Sequence, residues 1–210
     1  MFKGSPNTIA QRRDEIVCAC EQLYQTMSFK DITLKEIGKV TSFSRPTIYN
    51  YFHTKEEIFL ALFEREYDRW NENLESLLNS KQIFDSEKLA ELIAKSLERR
   101  TQLLRLLSMN NFDMEENSRE ELLASFKRAY GKSLNLFREI LVKHCSNMSE
   151  EEVEQIMYVF FPFMFGIYPY AEVTEKQKEA MEEAEVDFKY QSIYEITYNC
   201  LIRLLKKEMK

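Results

Sequence analysis

Glycine and proline are scarce, four of each in 210 residues, too few for the turns of a sandwich or barrel, and this excludes a turn-rich β protein. Cysteine is equally sparse. Cys18, Cys20, Cys145 and Cys200 form no CxxC pair, and with only His53 and His144 beside them no zinc-type ligand cluster can be composed. The thiols are therefore expected to be reduced and mostly buried, in a cytoplasmic protein. No run of about 18 apolar residues occurs, and the opening "MFKGSPNTIAQRRDEI" has no apolar core of signal-peptide length. Neither membrane insertion nor export is expected. A Gly-rich phosphate loop is missing too. Cys145 and His144 are adjacent, hence about 100° apart on a helix, and do not converge. With no catalytic constellation and no cofactor motif, an enzyme is not expected.

What remains is helical pattern and an uneven distribution of charge. The chain carries a formal net charge of −6. Residues 1–55 nevertheless hold eight Lys/Arg against five Asp/Glu, a net +3, so the remainder carries −9. A basic head on an acidic body places the search for a polyanion partner in the head. A first helix opening near Ser5-Pro6-Asn7 shows an apolar stripe through Ile9, Ile16, Cys20, Leu23, Tyr24 and Met27. Thr33 with Glu36 forms a T-x-x-E capping box for a second helix of about ten residues that buries Leu34, Ile37 and Val40. A tight turn follows. Ser44 then caps a third helix with Arg45 and Pro46 in its first turn, and Thr54, with Glu57 three residues on, caps a long fourth. On the third helix Ile48 and Phe52 point one way while Pro46 and Asn50 point nearly opposite, flanked by Thr47 and Tyr49. A short helix, a turn and a helix with a polar, aromatic outer face match a helix-turn-helix, whose latter helix enters the major groove of double-stranded DNA.

The stretch "TLKEIGKVTSFSRPTIYNYFHTKEEIFLALF" resembles the head of the TetR family of bacterial repressors, with the likeness running from Ile9 to about Phe63. The resemblance implies roles residue by residue. Tyr49 and Lys55 would hold backbone phosphate, Thr33 and Ser44 would bind phosphate or cap, and Arg45, Pro46, Thr47, Asn50 and Tyr51 would face bases. Lys35 would contribute from the second helix. His53 stands between that role and a solvated turn. Two positions depart from the family pattern: Ser42 stands where a turn glycine is usual, and would have to accept a left-handed backbone, and Gly38 stands where alanine is usual.

The expected fold is therefore all-α, a three-helix DNA-binding head over residues 1–55 joined to a larger helical effector-binding and dimerisation domain over 56–210. In the body, Ser86 opens a helix through "EKLAELIAKSLERRTQLLRLLSM", Ser118 opens another, Ser149 with Glu152 makes a capping box, Thr174 caps a polar helix, and a last helix runs from about Asp187. That last helix carries apolar stripes over an arc of about 240°. Tyr190, Ile193, Tyr194, Ile196, Thr197, Cys200, Leu201 and Leu204 are the candidate homodimer interface, full enclosure within the protomer being the other reading. "FFPFMFGIYPY" places Pro162 inside a helical pattern, where it deletes a backbone bond and bends the helix. Phe161, Met164, Phe165 and Tyr168, opposed by Met109, Phe112, Tyr130 and Phe137, either line a pocket for a small hydrophobic effector or pack the core. The family resemblance implies a homodimer released from DNA by such an effector, with Phe59, Phe63 and Tyr67 on the fourth helix as the transmitting face. The competing class is a helical protein–protein adaptor without DNA binding.

Overall fold

The computed structural model describes residues 6–109 and 111–206, with the backbone alone described at 6, 7 and 111. Ser5, expected to open the first helix, lies outside the described residues. Every regular element among them is a helix: α1 (Pro6–Tyr24), α2 (Leu34–Val40), α3 (Arg45–Ile48), α4 (Lys55–Leu78), α5 (Ser86–Glu98), α6 (Thr101–Leu107), α7 (Asn111–Glu116), α8 (Glu120–His144), α9 (Glu150–Ala171), α10 (Glu175–Glu183) and α11 (Ile193–Lys206). No single one is long and apolar enough to cross a membrane. The chain forms two compact units, one of Met1–Arg65 with Asn110–Arg128, the other of Glu66–Met109 with Ala129–Lys210. The boundary falls inside α4 and again inside α8, and the first unit includes α7.

The first unit is built on the α1 stripe. Ile16 and Cys20 are fully enclosed, and Tyr24 is nearly so, together with Ile32, Ile37, Ile48, Phe52, Phe59 and Phe63. Tyr24 and Phe29 both set their edges against Phe59, at 5.1 and 4.7 Å between centroids. Burying each such ring stabilises by roughly 1.5–3 kcal/mol. Val40, expected in this core, is exposed because α2 ends there after seven residues. The Thr33 hydroxyl accepts the Glu36 N–H as expected. The box does not close, because the Glu36 carboxylate pairs with Lys39 instead. Ser44 stands at the N-cap of α3 but its hydroxyl bonds Thr47 rather than the backbone.

Gly38 needs no special backbone: a Cβ there would meet Ile48, the Phe43 carbonyl and the Arg45 N–H at 3.6–3.8 Å, ordinary contact distances. Gly38→Ala is therefore expected to stabilise the head, by up to about 1 kcal/mol from helix propensity and reduced unfolded-state freedom. Urea unfolding that showed a loss would mean the α2–α3 gap has no room for the methyl.

The second unit packs α11 against α5 and α9, and α6 against α9. The expected single helix from Ser86 is broken at Arg99–Arg100, with Arg100 non-helical. After the break Leu103, Leu104, Leu106 and Leu107, which span an arc of about 160° at 100° per residue, are all buried. Asp85, not Ser86, caps α5, and the Ser118 hydroxyl donates back to the Met114 carbonyl instead of capping α8. Ser149–Glu152 and Thr174–Gln177 make complete capping boxes. α9 continues through both Pro162 and Pro169. Just past α10, Glu185 has a left-handed φ of 54°, while Val186 N–H donates to the Met181 carbonyl. α11 starts later than expected, at Ile193, because Ser192 and Glu195 exchange the two bonds of a capping box. The thiols are free, and only Cys20 is buried: Cys18 is exposed, and Cys145 and Cys200 are half-buried.

Candidate nucleic-acid interface

The recognition segment is one helical turn, Arg45–Ile48, continued by a tight turn through Phe52. Its entry is tethered from α1. The Glu15 carboxylate accepts both the backbone N–H and the hydroxyl of Ser42, at 2.8 and 2.7 Å. Those bonds hold the Glu15 carboxyl below its usual range. They also explain why serine serves in a turn where glycine was expected: Ser42 does not adopt a left-handed backbone, and the turn is fixed by an outside anchor.

Beyond Ile48 the bonds tighten. Asn50 N–H donates to the Thr47 carbonyl and Tyr51 N–H to Ile48, three residues back. Positions 48 and 51 lie within about 60° of each other on an α-helical wheel and eclipse at three residues per turn, so Tyr51 turns inward beside Ile48. It is 5% exposed, with its hydroxyl taking a bond from Arg12, and Phe52 lies under the Arg13 guanidinium. The expectation that Tyr51 faces bases is thereby corrected. Ser44, Arg45, Pro46, Tyr49 and Asn50 stand exposed, with Thr47 half-buried beside them. Arg45 lies over the Tyr49 ring at 5.6 Å and donates to its hydroxyl at 3.0 Å, so the two form one ordered projection. Thr33, Lys35 and His53 are exposed as well. Lys55 is only half-exposed, its ammonium donating to the Phe29 carbonyl at 2.9 Å above the Phe29 ring, so a phosphate would have to compete for it.

The exit of the segment is held by residues that the sequence reading assigned otherwise or not at all. Thr54 caps α4 through the Glu57 N–H. The Glu57 side chain, 1% exposed, does not return to Thr54: it accepts the His53 N–H at 2.6 Å and the Arg119 side chain at 2.7 and 3.0 Å. Arg119 also donates to the Tyr51 carbonyl at 3.0 Å. Burial works to raise the Glu57 carboxyl, but the Arg119 side chain and the His53 and Arg119 N–H groups outweigh it and leave it lowered. Sixty-two residues separate the partners, so no local pattern could have paired them.

The residues expected to wall an effector pocket divide between core and surface. Phe137, Phe161 and Met164 are core, with Phe137 stacked on Phe160 at 4.9 Å and edge-on to Phe161 at 5.6 Å. Tyr130 is half-buried between Tyr67 and Phe161. Met109 and Tyr168 are half-buried, Phe165 is exposed, and Phe112, 84% exposed, belongs to the first unit. Of the expected dimer residues, Ile193, Thr197 and Leu201 are enclosed within the protomer, because the 193/197/201/205 stripe of α11 faces its own α5 and α9. Tyr194, Ile196, Cys200 and Leu204 are half-buried and Tyr190 exposed. The larger outward apolar face is on α9, through Tyr158, Val159, Phe165 and Tyr170. It continues into an open groove of about 490 Å³ lined by Pro162, Phe163, Gly166, Phe188 and Ile196.

Residues 16–62 match the model for bacterial regulatory proteins of the tetR family, and residues 64–189 match a tetracyclin repressor-like C-terminal domain. The HTH-type transcriptional regulator EthR of Mycolicibacterium smegmatis is 34% identical over 53 residues, 25% of this chain and 24% of that protein. The chain thus spans about a quarter of the length of that relative. The fatty acid degradation regulator FadR of Bacillus halodurans superposes with a TM-score of 0.60 at 18% identity, over 97% of both chains. FadR of Bacillus subtilis, solved with stearoyl-CoA, gives 0.59 at 16% identity over 91% of this chain and 96% of its own. FadR of Thermus thermophilus, solved with lauroyl-CoA, gives 0.59 at 20% over 94% and 95%.

Proposed function

The chain belongs to the tetR family of bacterial regulatory proteins, with the fold and domains of a DNA-binding transcriptional regulator, and from that premise we propose a homodimeric repressor that a small hydrophobic effector releases from palindromic operator DNA. The observation that carries the reading is the ridge of Arg45, Pro46, Tyr49 and Asn50, exposed on a segment tethered at entry by Glu15 and at exit by Glu57. A rigid ridge of one turn's length suits the major groove, where arginine and asparagine read purine edges. Ser44, Thr47, Thr33, Lys35, His53 and Lys55 surround it as the phosphate-facing and flanking set. A single head reads only a half-site, and two heads about one DNA turn apart read a palindrome.

The second copy covers the α9 face of Tyr158, Val159, Phe165 and Tyr170, together with Ile196 and Cys200 of α11, since an apolar strip of that length is unusual on a monomer. For the effector, the acyl-CoA ligands of the two FadR structures make a long-chain acyl thioester the first class to test. The ligand must favour the DNA-incompetent state of the dimer, or its binding shifts nothing.

The test is selection of duplexes with randomised centres, alongside light scattering. A mass twice the 25.2 kDa chain and enrichment of an inverted repeat are expected, with about tenfold weaker retention once stearoyl-CoA saturates the protein. A monomeric mass removes the dimer, retention unchanged by stearoyl-CoA removes this effector class, and failure to enrich any duplex favours a protein–protein adaptor.

A further inference from the structure

We propose that Arg119 is a positioning residue for DNA binding, holding the exit of the recognition segment although it touches no DNA; this rests on the reading of the head as a DNA-binding unit. A helix of four residues has almost no persistence of its own. Its outward face stays fixed only if both ends are held by the rest of the molecule. The entry is held by Glu15. At the exit, two backbone groups define the path of the chain, the Tyr51 carbonyl and the His53 N–H, and backbone groups of this kind need partners wherever water is kept out.

Their partners are Arg119 Nη2 and Glu57 Oε2, and these two are themselves bonded at 3.0 Å. The Arg119 Nε and backbone N–H donate to Glu57 Oε1 at 2.7 and 3.2 Å. One guanidinium therefore satisfies a buried carboxylate through two nitrogens and a loop carbonyl at once, a bidentate geometry set by the planar fork of arginine that an ammonium does not reproduce. A second tie runs alongside it, from the Thr54 hydroxyl to the Asn117 carbonyl at 3.0 Å. Without the Arg119 side chain, Glu57 is left as an enclosed carboxylate held by two backbone N–H groups, those of His53 and of residue 119, with no charged partner. The carboxylate must then take up a proton or draw water into the turn, and either change moves a segment whose Tyr49 and Asn50 lie one and two residues before Tyr51. Arg119 belongs to the stretch matched by the C-terminal family model, residues 64–189, yet it lies in the compact unit of the head. DNA affinity is thus set in part by a residue of the C-terminal domain's sequence.

The experiment compares the full-length wild type with Arg119→Met, Arg119→Lys, the double variant Arg119→Met/Glu57→Gln and, as control, Glu121→Gln. Glu121 bonds the same guanidinium but is 70% exposed and does not touch the turn. Binding is measured by anisotropy on the selected inverted repeat and on a scrambled duplex, across a salt series, at a temperature where circular dichroism shows every variant folded. Arg119→Met is expected to weaken the selected duplex by about tenfold or more and the scrambled duplex by less than about threefold. The slope of affinity against salt stays unchanged, because no phosphate contact is lost. The double variant binds no worse than Arg119→Met, and Glu121→Gln binds as wild type. A folded Arg119→Met that holds the selected duplex within threefold of wild type overturns the proposal, and so does a reduced salt slope, which would make Arg119 a phosphate contact. Should the methionine variant not fold, Arg119→Lys decides on the same two readouts. A wild type that selects no duplex overturns the DNA reading itself, a result distinct from normal wild-type binding with unaffected variants.

Discussion

Arg45→Glu is expected to abolish specific binding, weakening the selected duplex by about a thousandfold at 100 mM salt while the protein keeps its stability. A bidentate arginine contact to a purine edge is worth roughly 1–3 kcal/mol, and a two-fold dimer loses it twice. Each factor of ten is about 1.4 kcal/mol, so the loss of contacts alone accounts for one and a half to four decades. A carboxylate facing the phosphate rails adds repulsion and removes the steering that brings a basic head to DNA. Folding is not at risk, since Arg45 is exposed and its bonded partner Tyr49 is exposed with it. Tyr49→Phe sharpens the reading: it keeps the ring under the guanidinium and removes only the hydroxyl acceptor, so it should cost far less than Arg45→Glu and blur preference at one position of each half-site. Anisotropy titrations of the two variants against wild type decide the matter. Binding of Arg45→Glu within threefold of wild type would mean that the exposed ridge is not what meets DNA.

How much of this was legible in the sequence depended on whether a residue's partner was local. The S/T-x-x-E pattern occurs at Thr33, Thr54, Ser118, Ser149 and Ser192. At all but Ser118, whose hydroxyl turns back to the Met114 carbonyl, the hydroxyl accepts the N–H three residues on. The carboxylate completes the box only at Ser149 and Ser192, both exposed sites with no competing cation. Glu36 has Lys39 one turn away, and Glu57 has Arg119, distant in the chain and just ahead of α8. A charged partner outbids a backbone N–H, and only the first of these rivals can be found by reading along the chain. Tyr51 failed for a different reason. Its base-facing role came from the family resemblance alone, whereas a wheel at 100° per residue already sets it only about 60° from Ile48, beside the buried face. On α11 the stripes were read correctly as more apolar than a surface helix needs. The sequence could not say which stripe meets α5 of the same chain, and the protomer's own packing took Ile193, Thr197 and Leu201.

The aromatic cluster of the second unit tests the same point energetically. Phe137→Ala is expected to destabilise that unit by about 3–5 kcal/mol, the range for emptying a large buried side chain from a close-packed site. Phe137 is fully enclosed, stacked on Phe160 and edge-on to Phe161, and both neighbours are themselves buried residues of α9. Were Phe137 instead one wall of an existing effector cavity, truncation would enlarge a void already present. It would forfeit fewer contacts and cost correspondingly less. Phe112→Ala supplies the reference, since a side chain 84% exposed should change stability by no more than about 0.5 kcal/mol. The single tryptophan, Trp70, is a built-in reporter: it is fully enclosed in the second unit, 6.1 Å from Phe161, and donates its indole N–H to the Ser96 hydroxyl. Urea unfolding followed by Trp70 emission therefore reads this unit directly. A midpoint for Phe137→Ala close to that of Phe112→Ala would return the aromatic cluster to the role of a ligand pocket. A large drop fixes it as core, and an effector must then make its own room by displacing those rings.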